Sequence, residues 1–368
     1  MTAPRAGTAA LVVAFVGLPF AMGDFGLSVL TFAGIFAVGA IGLDLAVGHA
    51  GQISLGQGFF MGVGAYAGVN LGAEAGLALP LWLLAAAVAG GVLGALVGLC
   101  ALRLRGAYLA IVTVGVVFVG LYVWNSVPSI SGGAAGAGGK APAALGPVDF
   151  NHLRLAGSSF TRQQSWFWLV WALVALAAWL AANLVRSRTG RAWQAVHDNE
   201  LAAAAVGVDV GRAKVSAFAV AGALGAVAGA VYFGYVQYVG PDEWSLFLSV
   251  QFLAIVIVGG SGRLAGPVVG ALVLGGAPRL VEELSPHLPI GGLGLTVANL
   301  NRLLFGLLVV GFVAYAPRGL VGAWDDVRGR RRGGRRRAPT AVEPRAVEPR
   351  AVEPTVVDEL MVDDKEWL

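Results

Sequence analysis

The sequence predicts an all-α protein, a polytopic membrane helical bundle with about ten transmembrane segments and a disordered polar tail. Three observations predict it. Of 368 residues, 57% are hydrophobic and 12% charged, and the mean hydropathy of +0.76 is far above that of a water-soluble fold. Apolar residues run continuously for about 20 positions at a time, the length that crosses the hydrocarbon core as a helix, whereas a β-barrel would alternate in ten-residue segments. The charges are also unevenly spread: 21 of the 46 lie beyond residue 316, leaving too few elsewhere to cover a surface facing water.

Apolar windows fall near 8–22, 25–47, 53–71, 80–102, 107–126, 165–185, 214–238, 245–260, 264–282 and 298–316. The first follows Arg5 in the manner of a signal peptide, but it lacks a clear small-residue cleavage site and runs straight into the second, so it is read as a crossing. With a cytoplasmic N-terminus, alternation puts Arg103 and Arg105 inside and the 127–163 loop outside. Arg186, Arg188, Arg191 and Arg212 of the 186–213 loop then fall inside, as the positive-inside rule asks. The arginine-rich tail belongs inside as well. That parity requires Gly259, Gly260, Gly262 and Arg263 to form a cytoplasmic turn between two crossings, in place of one helix from 245 to 282. Both termini are then cytoplasmic. The outer loop, rich in Gly, Ala, Ser and Pro, is expected to lack regular structure over its first part.

Composition divides the chain into a membrane domain over 1–322 and a tail over 323–368, where two arginine triplets precede repeated Ala-Val-Glu-Pro. Such a tract cannot bury a core and reads as disordered. Its arginines, and the pI near 9.5, read as a topology signal held at membrane lipids, with no nucleic acid as partner.

No constellation for catalysis stands out. Residues 134–141 approximate a phosphate-binding loop but lack its first glycine and carry Ala141 where a Mg²⁺-binding Ser or Thr is needed, so no ATP site is expected in this chain. Residues 62–67 fit the loose dinucleotide pattern, yet inside a membrane segment with no preceding strand. His49, His152, His197 and His287 are scattered, and the single Cys100 sits in an apolar run, so no metal site is expected. Residues 51–56 miss the nucleophile-elbow spacing by one residue. The chain is read as no enzyme, with no cofactor of its own.

Glycine supplies 55 residues, about twice its usual share, and recurs at helix-packing spacing, as at Gly90, Gly94 and Gly98. Close approach of helices in lipid explains most of it. The 48–68 stretch differs, because Gly51 and Gly56 are mixed with Gln52, Ser54 and Gln57 at the start of a crossing, with Tyr66 further along. Polar groups at membrane depth are tolerated only where they are buried in protein or line a cavity. These residues are the candidate translocation pathway; hydrogen bonding to neighbouring helices is the competing reading. Residues 191–207 are helix-forming but too polar at Arg191, Asp198, Asn199 and Glu200 to span a bilayer, and they run through Ala202 and Ala203 to Gly207. They predict one short cytoplasmic helix, which either lies on lipid or docks a partner.

Residues 48–66 resemble the signature of the branched-chain amino-acid permeases of ABC importers, specifically the M-type of their two permease subunits. Residues 102–113 are similar to the same family. So are Asp198-Asn199-Glu200 with Ala202, Ala203, Gly207 and Val208, then Lys214 and Phe218, residues 259–267 and residues 317–320. The resemblance covers about 25–322 in consistent order. It implies that 191–207 is a coupling helix seated in a groove of an ATPase subunit, with the family's acidic-Ala-Ala and Gly pattern on Glu200, Ala202, Ala203 and Gly207. It further implies a permease of the bacterial plasma membrane, paired with a homologous permease subunit, two cytoplasmic ATPase subunits and an extracytoplasmic substrate-binding protein. ATP and Mg²⁺ would sit on the partners, and alternating access would carry a branched-chain or other hydrophobic amino acid. Urea or a short amide is the alternative cargo. An ion-coupled secondary transporter would need an ionisable residue at mid-membrane, and Asp44, where the family tends to a neutral polar residue, lies near an inner end.

Overall fold

The computed structural model describes residues 17–276 except 103, 105, 146–147, 152–153 and 156–157, together with Phe15, Leu303, 305–307, 310–311 and 319–322. The tail expected over 323–368 lies outside the described residues, as do Arg103, Arg105, His152, His287 and parts of the segments expected at 8–22, 264–282 and 298–316.

The first long helix, α1 (Asp24–Asp44), continues into a π-helical stretch, Leu45–His49. Helix α2 (Gln57–Ala67) continues likewise into Gly68–Glu74. Then come α3 (Leu79–Cys100), α4 (Ala107–Ser126), the one-turn α5 (Pro128–Ser131) and α6 (Arg162–Arg186). Two short helices, α7 (Arg188–Asp198) and α8 (Glu200–Ala205), precede the longest, α9 (Val210–Val236). Helices α10 (Leu246–Gly259) and α11 (Gly266–Gly270) follow, the latter extended by a π-helical stretch, Ala271–Gly275. Asp24–His49, Leu79–Cys100, Tyr108–Ser126, Arg162–Arg186 and Val210–Val236 are long and apolar enough to cross a membrane. The 14 residues of α10 rise about 21 Å, short of the ~30 Å hydrocarbon core.

Burial separates the long helices by role. α1 is apolar on every side because it is covered on every side, with an unbroken buried run from Thr31 to Asp44. α3 instead buries Leu79, Trp82, Ala86, Gly90, Gly94 and Val97, one stripe at helical spacing. Its opposite stripe, Leu84, Val88, Val92, Leu96 and Leu99, is more than half exposed at each position. Exposed leucine and valine cost nothing against lipid tails, so this face suits an apolar membrane setting. α9 fills the middle. A Cβ on Gly90 would fall onto the carbonyl oxygen of Gly222, and one on Gly94 onto that of Phe218, so the backbones of α3 and α9 touch. The contact of α2 with α9 is closer still: a Cβ on Gly64 would overlap the Ala226 carbonyl, and one on Gly229 the Met61 carbonyl.

The outer loop is more ordered than its composition suggests. Gly132, Gly133 and Gly136 adopt φ of +73°, +66° and +73°, which allows two tight reversals that a side chain would strain. They lead into β1 (Ala137–Gly138), which pairs antiparallel with β6 (Tyr238–Val239) in the register Ala137 to Val239. Tyr238 donates its hydroxyl to Ala135 O at 2.6 Å. Two further two-residue ladders close the loop, β2 (Ala144–Leu145) with β3 (Val148–Asp149) and β4 (Arg154–Leu155) with β5 (Ser158–Ser159). The expectation of irregular backbone at its start is therefore corrected. At the same end, Arg162 Nη2 donates to the carbonyls of Gly234 at 3.1 Å and Tyr235 at 2.6 Å. It thereby satisfies acceptors and the negative dipole end where α9 runs out.

Candidate functional site

The segment between α6 and α9 is built as two helices. Ser187 caps α7, its Oγ accepting from Gly190 N at 3.4 Å. The amphipathic α7 buries Gly190, Trp193 and Val196, and Trp193 Nε1 donates to Ser216 Oγ of α9 at 3.0 Å. The single helix expected over 191–207 is corrected to α7 and α8, separated at Asn199. Asn199 adopts φ −163° and ψ 113°, and its Oδ1 accepts from the backbone of Leu201 at 2.9 Å and Ala202 at 3.0 Å. A short polar side chain that caps a new helix competes with continuing the old one. Gly207, at φ +84°, then ends α8 in the left-handed conformation that favours glycine.

One buried ion pair fastens α8 to the bundle. Lys214 of α9 is 2% exposed and its Nζ lies 2.7 Å from Glu200 Oε1. Of the other candidate coupling residues, Ala203 is buried, whereas Arg191, Asp198, Asn199, Ala202 and Gly207 are exposed. The sequence reading missed two neighbours: Leu201 is 69% and Val206 78% exposed, so α8 presents an apolar tip beyond its anchored base.

The 48–68 stretch packs directly on α7. Gly51 has φ +68°, and a Cβ there would meet His197 Nδ1 at 3.0 Å. Gln52, Ser54, Gln57 and Tyr66 are each at most 5% exposed, facing protein as their polarity requires. Gln52 Nε2 donates to Ala50 O at 3.0 Å, Ser54 Oγ accepts from Gly56 N at 3.3 Å, and Gln57 Nε2 reaches across to Gly39 O of α1 at 2.8 Å. Leu55 N donates to Thr113 Oγ1 of α4, and Gly58 N to Ser249 Oγ of α10, each at 2.9 Å. These bonds tie the start of α2 to three other helices. Gln57 Oε1 is buried with no hydrogen-bond partner among the described residues.

A reversal connects α10 and α11, with Gly260 at φ +114° and Gly262 at φ +75°. A Cβ on Gly259 would overlap the Gly266 carbonyl, and one on Gly270 the Ile255 carbonyl, so the two helices fold back in backbone contact and no single helix runs from 245. Asp44, 1% exposed, holds the turn: its Oδ1 accepts from Gly262 N at 2.8 Å, and its Oδ2 lies 3.5 Å from His49 Nδ1. Gly48 has no room for a Cβ between Asp44 Oδ1, Gly262 N and Ser261 Oγ. The three stretches singled out in sequence thus meet in one chain of contacts, from His197 through Gly51 and the Leu45–His49 stretch to Asp44 and Gly262. The available signal was a lone acid in an apolar segment just ahead of Gly48 and His49. Among the described residues no group of three or more His, Cys, Asp or Glu comes together to hold a metal ion.

The family described as branched-chain amino acid transport system / permease component matches residues 26–313. The chain is 27% identical to the high-affinity branched-chain amino acid transport system permease protein LivM of Salmonella typhimurium, and equally to that of Escherichia coli, over 85% of this chain and 73% of each relative. It is 30% identical to the autoinducer 2 import system permease protein LsrC of an Enterobacter species, over 72% of this chain and 75% of that protein. No solved structure matches the chain. With a match that takes in α2 to α11, the α7–α8 pair and the Gly262 turn, this multi-pass helical membrane protein belongs to the branched-chain amino-acid permease family of ABC transporters.

Proposed function

We propose that this chain is one of two permease subunits of an ATP-driven importer of branched-chain or other hydrophobic amino acids, working by alternating access. The observation that carries the reading is the α7–α8 pair: an apolar tip, Leu201 and Val206, on a base pinned through Glu200 to Lys214 of α9. Apolar side chains exposed together outside the bilayer mark a partner surface. An ATPase groove closing on this tip pushes α9 through the ion pair and the start of α2 through His197 and Gly51, and the bundle rocks between outward-open and inward-open forms. ATP and Mg²⁺ belong to two ATPase subunits, and an external binding protein supplies the zwitterion. Its passage needs polar groups in an apolar setting; the unpartnered Gln57 Oε1 supports placing part of that path beside α2.

Changing Leu201 and Val206 together to aspartate is expected to reduce co-purifying ATPase and leucine uptake more than tenfold, at unchanged amounts of this chain in the membrane. Full ATPase recovery and uptake would refute the docking role.

The same reading gives ten crossings of a bacterial plasma membrane with both termini cytoplasmic. Its support is the contact chain itself: α7 touches Gly51 and Asp44 touches Gly262, so the 260–263 turn shares the end of the bundle that carries α7 and α8. Ser261 is exposed in that turn and, unlike Gly262, needs no positive φ. In a Cys100→Ser background, Ser261→Cys is expected to resist an impermeant maleimide in intact cells and react after permeabilisation. Ready labelling from outside would overturn the topology.

A further inference from the structure

A groove of about 870 Å³ runs between α1, α3, α6 and α9. Its walls are apolar, with Val38 from α1, Leu45 from the π-helical stretch that continues it, Leu84 from α3, Leu176 and Leu180 from α6, and Leu224 from α9. Its polar side chains are Asn183 and Ser187, and both lie at one end. From Leu173 to Ser187 the α6 wall is about 21 Å long at helical rise, most of the ~30 Å hydrocarbon core. Arg186 and Arg188 flank Ser187 in the chain at that end, and both are exposed. Neither has an acidic partner among the described residues, where the ion pairs are those of Asp44, Arg212 and Lys214. Arg191 is drawn to the same end, its Nη1 donating to the Arg186 carbonyl at 3.0 Å. A second groove, of about 810 Å³, between α1, α6 and α11 offers the contrast: lined by such residues as Phe15, Leu30, Trp171 and Leu272, it has no polar or charged side chain in its lining.

We propose that the α1–α3–α6–α9 groove is a binding site for an anionic phospholipid, with an acyl chain along Leu176, Leu180 and Leu224 and the phosphate at Asn183 and the guanidinium groups of Arg186 and Arg188. The occupant follows from the lining. A long apolar trough open to the bilayer takes a hydrocarbon chain, and a polar mouth at one end requires that chain to carry a headgroup. Unopposed guanidinium groups select a headgroup with net negative charge, since guanidinium pairs with phosphate in a bidentate fork. A choline or ethanolamine headgroup would bring its own cation against the arginines. The all-apolar second groove has no such mouth and accepts tails without choosing among headgroups. The site bridges α6 and α9 beside the α6–α7 junction, so its occupancy braces the attachment of α7 whatever cargo the protein carries.

The test is a lipid titration of the purified full chain in detergent with phosphatidylglycerol or phosphatidylcholine of identical acyl chains, read by native mass spectrometry and by melting temperature. Phosphatidylglycerol is expected to remain bound at one copy per chain and to raise the melting temperature by several degrees more than phosphatidylcholine. The double change Arg186→Gln and Arg188→Gln touches only exposed side chains and is expected to reduce that preference at least tenfold. Leu180→Trp, which fills the trough, is expected to weaken retention of the bound phosphatidylglycerol with the arginines intact. Equal binding of the two lipids, an undiminished preference in the double variant, or cross-linking of Leu180→Cys to a second permease chain would each overturn the site.

Discussion

Replacing Gly64 by leucine is expected to eliminate the folded protein from the membrane. At this position α2 lies on α9 so closely that even a methyl group would overlap the Ala226 carbonyl, and the reciprocal position, Gly229, is closed by the Met61 carbonyl. A flexible side chain could swing aside, but a helix carbonyl moves only with its helix. α9 is held on its other side by Gly90 and Gly94 of α3, which press on the carbonyls of Gly222 and Phe218. Forcing even a methylene into a closed contact costs about 1–3 kcal/mol, and leucine adds four carbons against a total stability of about 5–15 kcal/mol. Gly115 of α4 is the control, because nothing lies within 4 Å of a Cβ built there and the residue is exposed. Gly115→Leu should therefore accumulate normally. Immunoblotting of membranes and size-exclusion in detergent check both, and normal Gly64→Leu protein would show that α2 and α9 do not meet in this way.

Breaking the Lys214–Glu200 pair should have the second largest effect, and it should separate stability from coupling. Lys214 is 2% exposed, so Glu200→Gln leaves a buried ammonium without its carboxylate. Removing one member of a fully buried pair costs about 3–5 kcal/mol, and the 22% exposure of Glu200 moves the expectation to the lower end. Adding Lys214→Met removes the stranded charge, and apolar replacement of both partners is often close to neutral for stability. The double variant should thus recover melting temperature and membrane amount, yet still import at under a tenth of the normal rate, because α8 no longer grips α9. Glu200→Gln alone with full stability and full uptake would remove the ion pair from the transmission path.

The long crossings were legible in the sequence to within a few residues. The windows at 25–47, 80–102, 165–185 and 214–238 became Asp24–His49, Leu79–Cys100, Arg162–Arg186 and Val210–Val236, since a run of about 20 apolar residues has one stable state in lipid. The reversal at 259–263 was legible too, from its glycines and the parity of the charges. The break at Asn199 was not: propensity summed over 191–207 favours helix, while one side chain accepting from Leu201 and Ala202 decides the geometry. The ordered start of the outer loop was hidden for a similar reason, because the partner of Ala137 is Val239, about a hundred residues away. Nor does composition say what a buried polar group faces. Gln57 stood out as polar, but its bond to Gly39 O and the grip of Asp44 on Gly262 are matters of tertiary packing.

The π-helical stretch at Leu45–His49 lies between two fixed points, Asp44 on the Gly262 turn and Gly51 against His197. A π turn holds one residue more than an α turn closing the same loop. That residue is slack: the stretch can hand it to the following loop, or take it back, while both attachments stay made. Each exchange changes the reach of the segment by about 1.5 Å. The link between α7 and the α10–α11 reversal therefore behaves less like a rod than like a buckle with a spare notch, able to follow a small displacement of its far end without unwinding the crossing above it.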